Sequence, residues 1–225
     1  MFTVIGNIRN LPSREELMAG SGGFTPKEQL AADPKFVPLR YSSQQQALDI
    51  ISSKTGADTK TANFANAPGF QRVGLSDEVV NRLAEILKLT KPQARLQVLE
   101  PGNVTMMHLD DLDLGYINPI EESLKTITFT DQEREQFRDD VRSATRYLIM
   151  LEDWQWGQGM MFHDKTLTGW KAGDIIYWDW PTVAHSTFNT SFWPRGLIRI
   201  TGLQTDGSRK INEWALNGGR ILVEY

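Results

Sequence analysis

Three polar residues set into apolar, strand-like segments constrain this chain most. His108 and Asp110 lie in "VTMMHLDD", and His185 lies in "TVAHSTFN". The order HxD, a long gap, then H is that of a 2-His-1-carboxylate iron site, in which two imidazoles and one carboxylate cover one face of Fe(II) and leave adjacent positions open. Read as a strand, Val104, Met106, His108 and Asp110 share one face, because side chains alternate with period two. About ten residues past His185, "FWPRGLIRI" supplies Arg195. Its guanidinium is a planar fork suited to clamping a carboxylate through two hydrogen bonds. Alternation in "RGLIRITGL" puts Arg195, Leu197 and Arg199 on one face and Ile198 and Ile200 on the other, as a strand needs if it lines a polar pocket on one side and is covered on the other.

Together these residues resemble the Fe(II)- and 2-oxoglutarate-dependent oxygenases. The resemblance spans roughly residues 94–203 and includes "RYLIML" and "AGDIIYWDWPTVAHS", which look most like the prolyl and aspartyl/asparaginyl hydroxylase-like branch. It departs from the aspartyl/asparaginyl group in having a carboxylate ligand, Asp110. The resemblance implies His108, Asp110 and His185 as metal ligands and Arg195 as the anchor of the distal carboxylate of 2-oxoglutarate. Arg199, fourteen residues past His185, competes for the cosubstrate or supports its keto-acid end, and Arg195 is preferred. Arg146 and Tyr147 stand where relatives place a residue supporting the cosubstrate, and only one of these two neighbours can face inward. The implied reaction consumes dioxygen, hydroxylates an organic substrate and yields succinate and carbon dioxide, with no catalytic side chain beyond the metal ligands. An amino-acid side chain, free or in a protein, is the preferred substrate, so the partner is a small molecule or a peptidyl chain.

The expected fold is mainly β: a double-stranded β-helix, or cupin-like jelly roll, flanked by α-helices. A chain of 225 residues can bury one such core as a single domain. Within it, residues 1–74 are expected as an N-terminal extension of helices and loops, 94–203 as the jelly-roll core with an insertion at 116–143, and 204–225 as a C-terminal hairpin around Asn217-Gly218. Thr25, Pro26 and Glu28 mark a helix start, as do Thr130 and Glu133 inside the insertion. Residues 42–53 read as a further helix, and 35–41 as an edge strand because of Pro38. Ser76 is the expected cap of a helix carrying Val79, Val80, Leu83, Ile86 and Leu87 at a 3.6-residue period. "ARLQVLEPGNVTMMH" reads as two strands hinged at Pro101-Gly102, and "GWKAGDIIYWDW" as a tight turn at Gly173-Asp174 leading into a strand.

The absence of cysteine rules out disulfides and thiolate metal sites. A net charge of -4 leaves no electrostatic footprint for nucleic acid. No apolar run approaches the length of a membrane span, and the first ten residues lack a leader pattern, so a cytoplasmic location is expected and no membrane partner. With only three histidines in the chain, His163 is the decoy; it reads as a pocket-lining or surface residue rather than a ligand. The seven tryptophans read mainly as barrel filling, although Trp154 and Trp156 are placed for substrate contact. Two other readings use the same barrel: a cupin-type metal enzyme that does not use 2-oxoglutarate, and a catalytically silent binding module. An Arg ten residues past the last ligand argues against the first, and an intact triad against the second.

Overall fold

The computed structural model describes residues 2–20, 61–62, 70–110, 116–117, 144–162, 165–180 and 182–225. The expected helices near Thr25, at 42–53 and at Thr130, the edge strand at 35–41, and His163 lie outside the described residues.

Among the described residues two sheets face one another. The larger holds seven strands in the order β13 (Ile221–Glu224), β1 (Phe2–Arg9), β10 (Asp174–Trp178), β7 (Ala144–Met150), β12 (Arg195–Gln204), β4 (Leu89–Leu99) and β3 (Phe70–Gly74). The smaller holds β2 (Thr61–Ala62), β6 (Tyr116–Ile117), β5 (Asn103–Asp110), β11 (His185–Asn189), β8 (Gln158–Phe162) and β9 (Lys165–Leu167). From β4 onward the chain crosses repeatedly between the sheets: β4 lies in the larger, β5 in the smaller, β7 in the larger, β8 and β9 in the smaller, then β10, β11 and β12 alternate. Apart from the short β6, this is the winding of a double-stranded β-helix, as the alternating strands and turns predict.

Period-two alternation divides the larger sheet into two faces. Leu148 and Met150 of β7, Ile176 and Trp178 of β10 and Leu197 of β12 pack with Met160 and Phe162 of β8 in the space between the sheets. Tyr147, Ile149, Ile175, Ile198 and Ile200 point the other way and pack under helices. Those helices are α1 (Arg14–Ala19), α2 (Asp77–Leu87) and α3 (Asp206–Leu216). Ser76 caps α2 as expected, accepting from the Val79 N–H, and Leu83, Ala84 and Leu87 form the buried stripe. Gly173 makes the turn before β10 with a positive φ of 82°. A Cβ there would come within 2.1 Å of the Ile8 carbonyl oxygen, so only glycine fits.

Two expectations are corrected. Residues 2–9, expected within an extension of helices and loops, are a strand: "FTVIGNIR" pairs antiparallel with β10 and parallel with β13. Residues 204–225 are a helix followed by a strand, not a hairpin. Thr205 and Ser208 form a capping box, and Ser208, Asn212 and Ala215 give a buried stripe at helical spacing. Asn217-Gly218, which would suit a two-residue hairpin turn, instead ends the helix, with Asn217 at the C-cap and Gly218 at φ 87°.

Candidate functional site

Register brings the distant sequence motifs together. β11 pairs antiparallel with β5 so that His185 stands directly opposite His108, and Asp110 follows two positions along β5. On its other side β11 pairs with β8, where His185 meets Phe162. The His185 imidazole is buried, with its ring 5.9 Å from that of Phe162 and 5.2 Å from that of Trp178. The two apolar rings fix the plane of the imidazole and keep bulk water from that side. His108 and Asp110 are described by their backbone positions; among the described residues no three His, Asp or Glu side chains gather into a metal-sized group.

Arg195 opens β12 at the far edge of this space and is only 3% exposed. One Nη1 reaches across from the larger sheet to the smaller, donating to the Thr187 hydroxyl and to the Gly159 carbonyl oxygen at 3.3 Å. Its Nε has no hydrogen-bond partner among the described residues. Burial pulls its pKa down to about 10, opposed by the attraction of Glu152, so the guanidinium is still a cation at neutral pH. Glu152 is not within ion-pair distance of it. That carboxylate accepts the Gly196 N–H at 2.9 Å and lies 3.6 Å from Arg14 of α1. A buried cation with an unused donor is costly unless an anion completes it. The donor set therefore fits a bound carboxylate.

Arg199 and Thr201 follow on the same face of β12, both buried. Arg146 of β7 is also buried on the inward side, where its Nε donates to Thr201 Oγ1 at 2.8 Å and its guanidinium lies 4.5 Å from the centre of the Trp180 ring. Tyr147, its neighbour, is corrected out of the site. Its hydroxyl donates to Asn212 Oδ1 of α3 at 2.8 Å under the helices, and burial pushes its phenol well above the ordinary range. Trp154 and Trp156 lie before β8, at the end of the barrel away from His185. Trp154 Nε1 donates to the Gln158 carbonyl at 2.7 Å, and Trp156 is 84% exposed. They do not converge with the His pair.

Sequence reasoning missed Thr187, Phe162, Trp178, Trp180 and Glu152. Thr187 carried a signal, since it follows His185 by two in "HSTFN" and so shares its face. Glu152 carried none, because its role depends on a loop approaching the start of β12.

No known family profile matches the sequence, and no curated protein matches it. Among solved structures, the chain is similar to a sugar phosphate isomerase of the cupin superfamily from Silicibacter pomeroyi (10% identity, 66% of this chain and 69% of that one, TM-score 0.34). It is also similar to an RmlC-like cupin with a double-stranded β-helix fold from Methanocaldococcus jannaschii (14% identity, 54% and 75%, TM-score 0.30). A third is the Cnp3 cupin domain of Schizosaccharomyces pombe (8% identity, 72% and 77%, TM-score 0.33). These likenesses are of fold alone.

Proposed function

We propose that this protein is an Fe(II)- and 2-oxoglutarate-dependent oxygenase that hydroxylates an organic substrate. The observation that carries the reading is Arg195: a buried guanidinium on β12 whose Nε has no hydrogen-bond partner among the described residues, bonded to Thr187 two residues along β11 from His185. His108, Asp110 and His185 are the residues that would hold iron, because the pairing of β5 with β11 sets the two histidines opposite one another. Iron with 2-oxoglutarate and dioxygen would supply the oxidising chemistry, releasing succinate and carbon dioxide. Arg195 would anchor the cosubstrate's far carboxylate. The Thr187 hydroxyl accepts from Arg195 and so holds the fork in place. Phe162 and Trp178 orient His185 and exclude water from its buried side. The preferred substrate is an amino-acid side chain, free or in a peptide.

Anaerobic titration of Fe(II)-loaded protein with 2-oxoglutarate tests this, read by the weak visible charge-transfer band of a chelated keto acid. A band in the wild type that weakens in Arg195→Ala supports the reading. Bound iron without a band turns it toward a cupin-type metal enzyme that uses no 2-oxoglutarate. Failure to retain iron turns it toward a binding module.

A further inference from the structure

At the end of the barrel away from His185, two loops project aromatic side chains into solvent. Phe192 is 88% exposed, Trp156 84% and Trp193 57%. The loops are rigid and joined. Thr190 N–H donates to the Gly157 carbonyl at 2.8 Å, and Gln158 Nε2 reaches the Trp193 carbonyl at 3.3 Å. Asn189 Nδ2 bonds both the Leu99 and Trp193 carbonyls at 2.8 Å. Because their backbones are already fixed, these aromatics lose little further freedom when they are covered.

We infer that this aromatic end is a two-fold interface between two copies of this chain. Three aromatic side chains at these exposures present on the order of 350–550 Å², the size of the largest apolar patch on a typical monomer, which is often a functional surface. That is about half or more of the roughly 800 Å² each partner contributes to a stable interface. Val104, exposed at the start of β5 beside this end, adds to it. In a two-fold contact the same surface meets itself, so any net charge in the patch would repel its copy. Here the two loops carry two charged residues, and each has a cation beside it: Asp153 is paired with Lys171 at 3.1 Å and Glu152 lies 3.6 Å from Arg14. The flanking groups are amides and hydroxyls, suited to an interface rim. A neutral patch also lacks the basic residues that would draw it to nucleic acid or an anionic membrane. The rings do not form a flat stacking platform: Phe192 and Trp193 stand at 89° to one another. The His185 end stays open in such a dimer, so the inference does not depend on the proposed activity.

The test is sedimentation equilibrium of the full chain across micromolar to submillimolar concentrations. The expected result is a reversible dimer, with the dissociation constant raised at least tenfold in Trp156→Ser/Phe192→Ser. Leu222→Ser, at the exposed edge strand β13, should leave the dimer intact. A wild type that stays monomeric throughout would overturn the inference, whether or not it binds neutral phosphatidylcholine vesicles. So would a dimer insensitive to the double substitution, or one dissociated by Leu222→Ser.

Discussion

The guanidinium of Arg195 crosses the barrel to the hydroxyl of Thr187, two residues along β11 from His185. This contact ties the proposed carboxylate anchor to the strand that carries His185, a proposed metal ligand. A charge-assisted hydrogen bond at such a site is worth about 1.5–3 kcal/mol. Arg195→Ala should therefore retain iron and weaken 2-oxoglutarate binding roughly tenfold to a hundredfold, measured by the anaerobic titration. Arg195→Lys keeps the charge and loses the fork, so its affinity should fall between the two. Equal affinity in all three proteins would remove Arg195 from the cosubstrate site.

The opposed histidines make a separate prediction. His185→Ala or Asp110→Ala should abolish iron retention under anaerobic dialysis, because a facial triad that loses one ligand no longer holds the metal firmly. His163→Ala should retain it. Metal analysis giving the reverse pattern would make His163 a ligand in place of His185.

The chain's period-two pattern made β12 legible, whereas on β5 an irregularity between Thr105 and His108 leaves Val104 exposed and Thr105 buried against Thr187, so the single face read for Val104 and His108 does not hold. Arg195, Leu197 and Arg199 turn inward and Ile198 and Ile200 outward, as "RGLIRITGL" requires. The choice between Arg146 and Tyr147 could not be made from sequence, since it depends on where β7 begins; a shift of one residue exchanges the two faces. The structure sends Tyr147 outward because Leu148 and Met150 fill the barrel. Asn217-Gly218 misled for a similar reason. An Asn-Gly pair serves equally as a hairpin turn or a helix end, and the buried stripe through Asn212 and Ala215 decides for the helix. Glu152 was invisible because its partners, Arg14 and Gly196, are distant in sequence and meet only in the folded chain.

Half-buried Glu152 gives a pH prediction with a definite sign. Burial raises its carboxyl above the ordinary value of 4.5, outweighing the Gly196 N–H and Arg14, which lower it. A carboxyl with a raised folded-state pKa binds more protons in the folded protein. Its stabilising contribution is complete below the unfolded value near 4.5 and is lost as pH rises through the folded value. Glu152→Gln keeps an oxygen for the Gly196 N–H. It should match the wild type near pH 4 and gain relative stability toward neutral pH in urea denaturation. A variant that loses relative stability over that interval would show that attraction to Arg14 and Arg195 outweighs burial.

Tyr147→Phe distinguishes the two layers of the molecule. The phenol donates to Asn212 of α3 on the helix-covered face, on the opposite side of the larger sheet from Arg146 and Arg199. Removing it leaves the Asn212 oxygen buried without that donor, at a cost of about 1–3 kcal/mol. The variant should therefore unfold at lower urea while binding iron and 2-oxoglutarate as the wild type does. The opposite pattern, with stability unchanged and the charge-transfer band weakened, would return Tyr147 to the barrel interior and reverse the assignment of faces along β7.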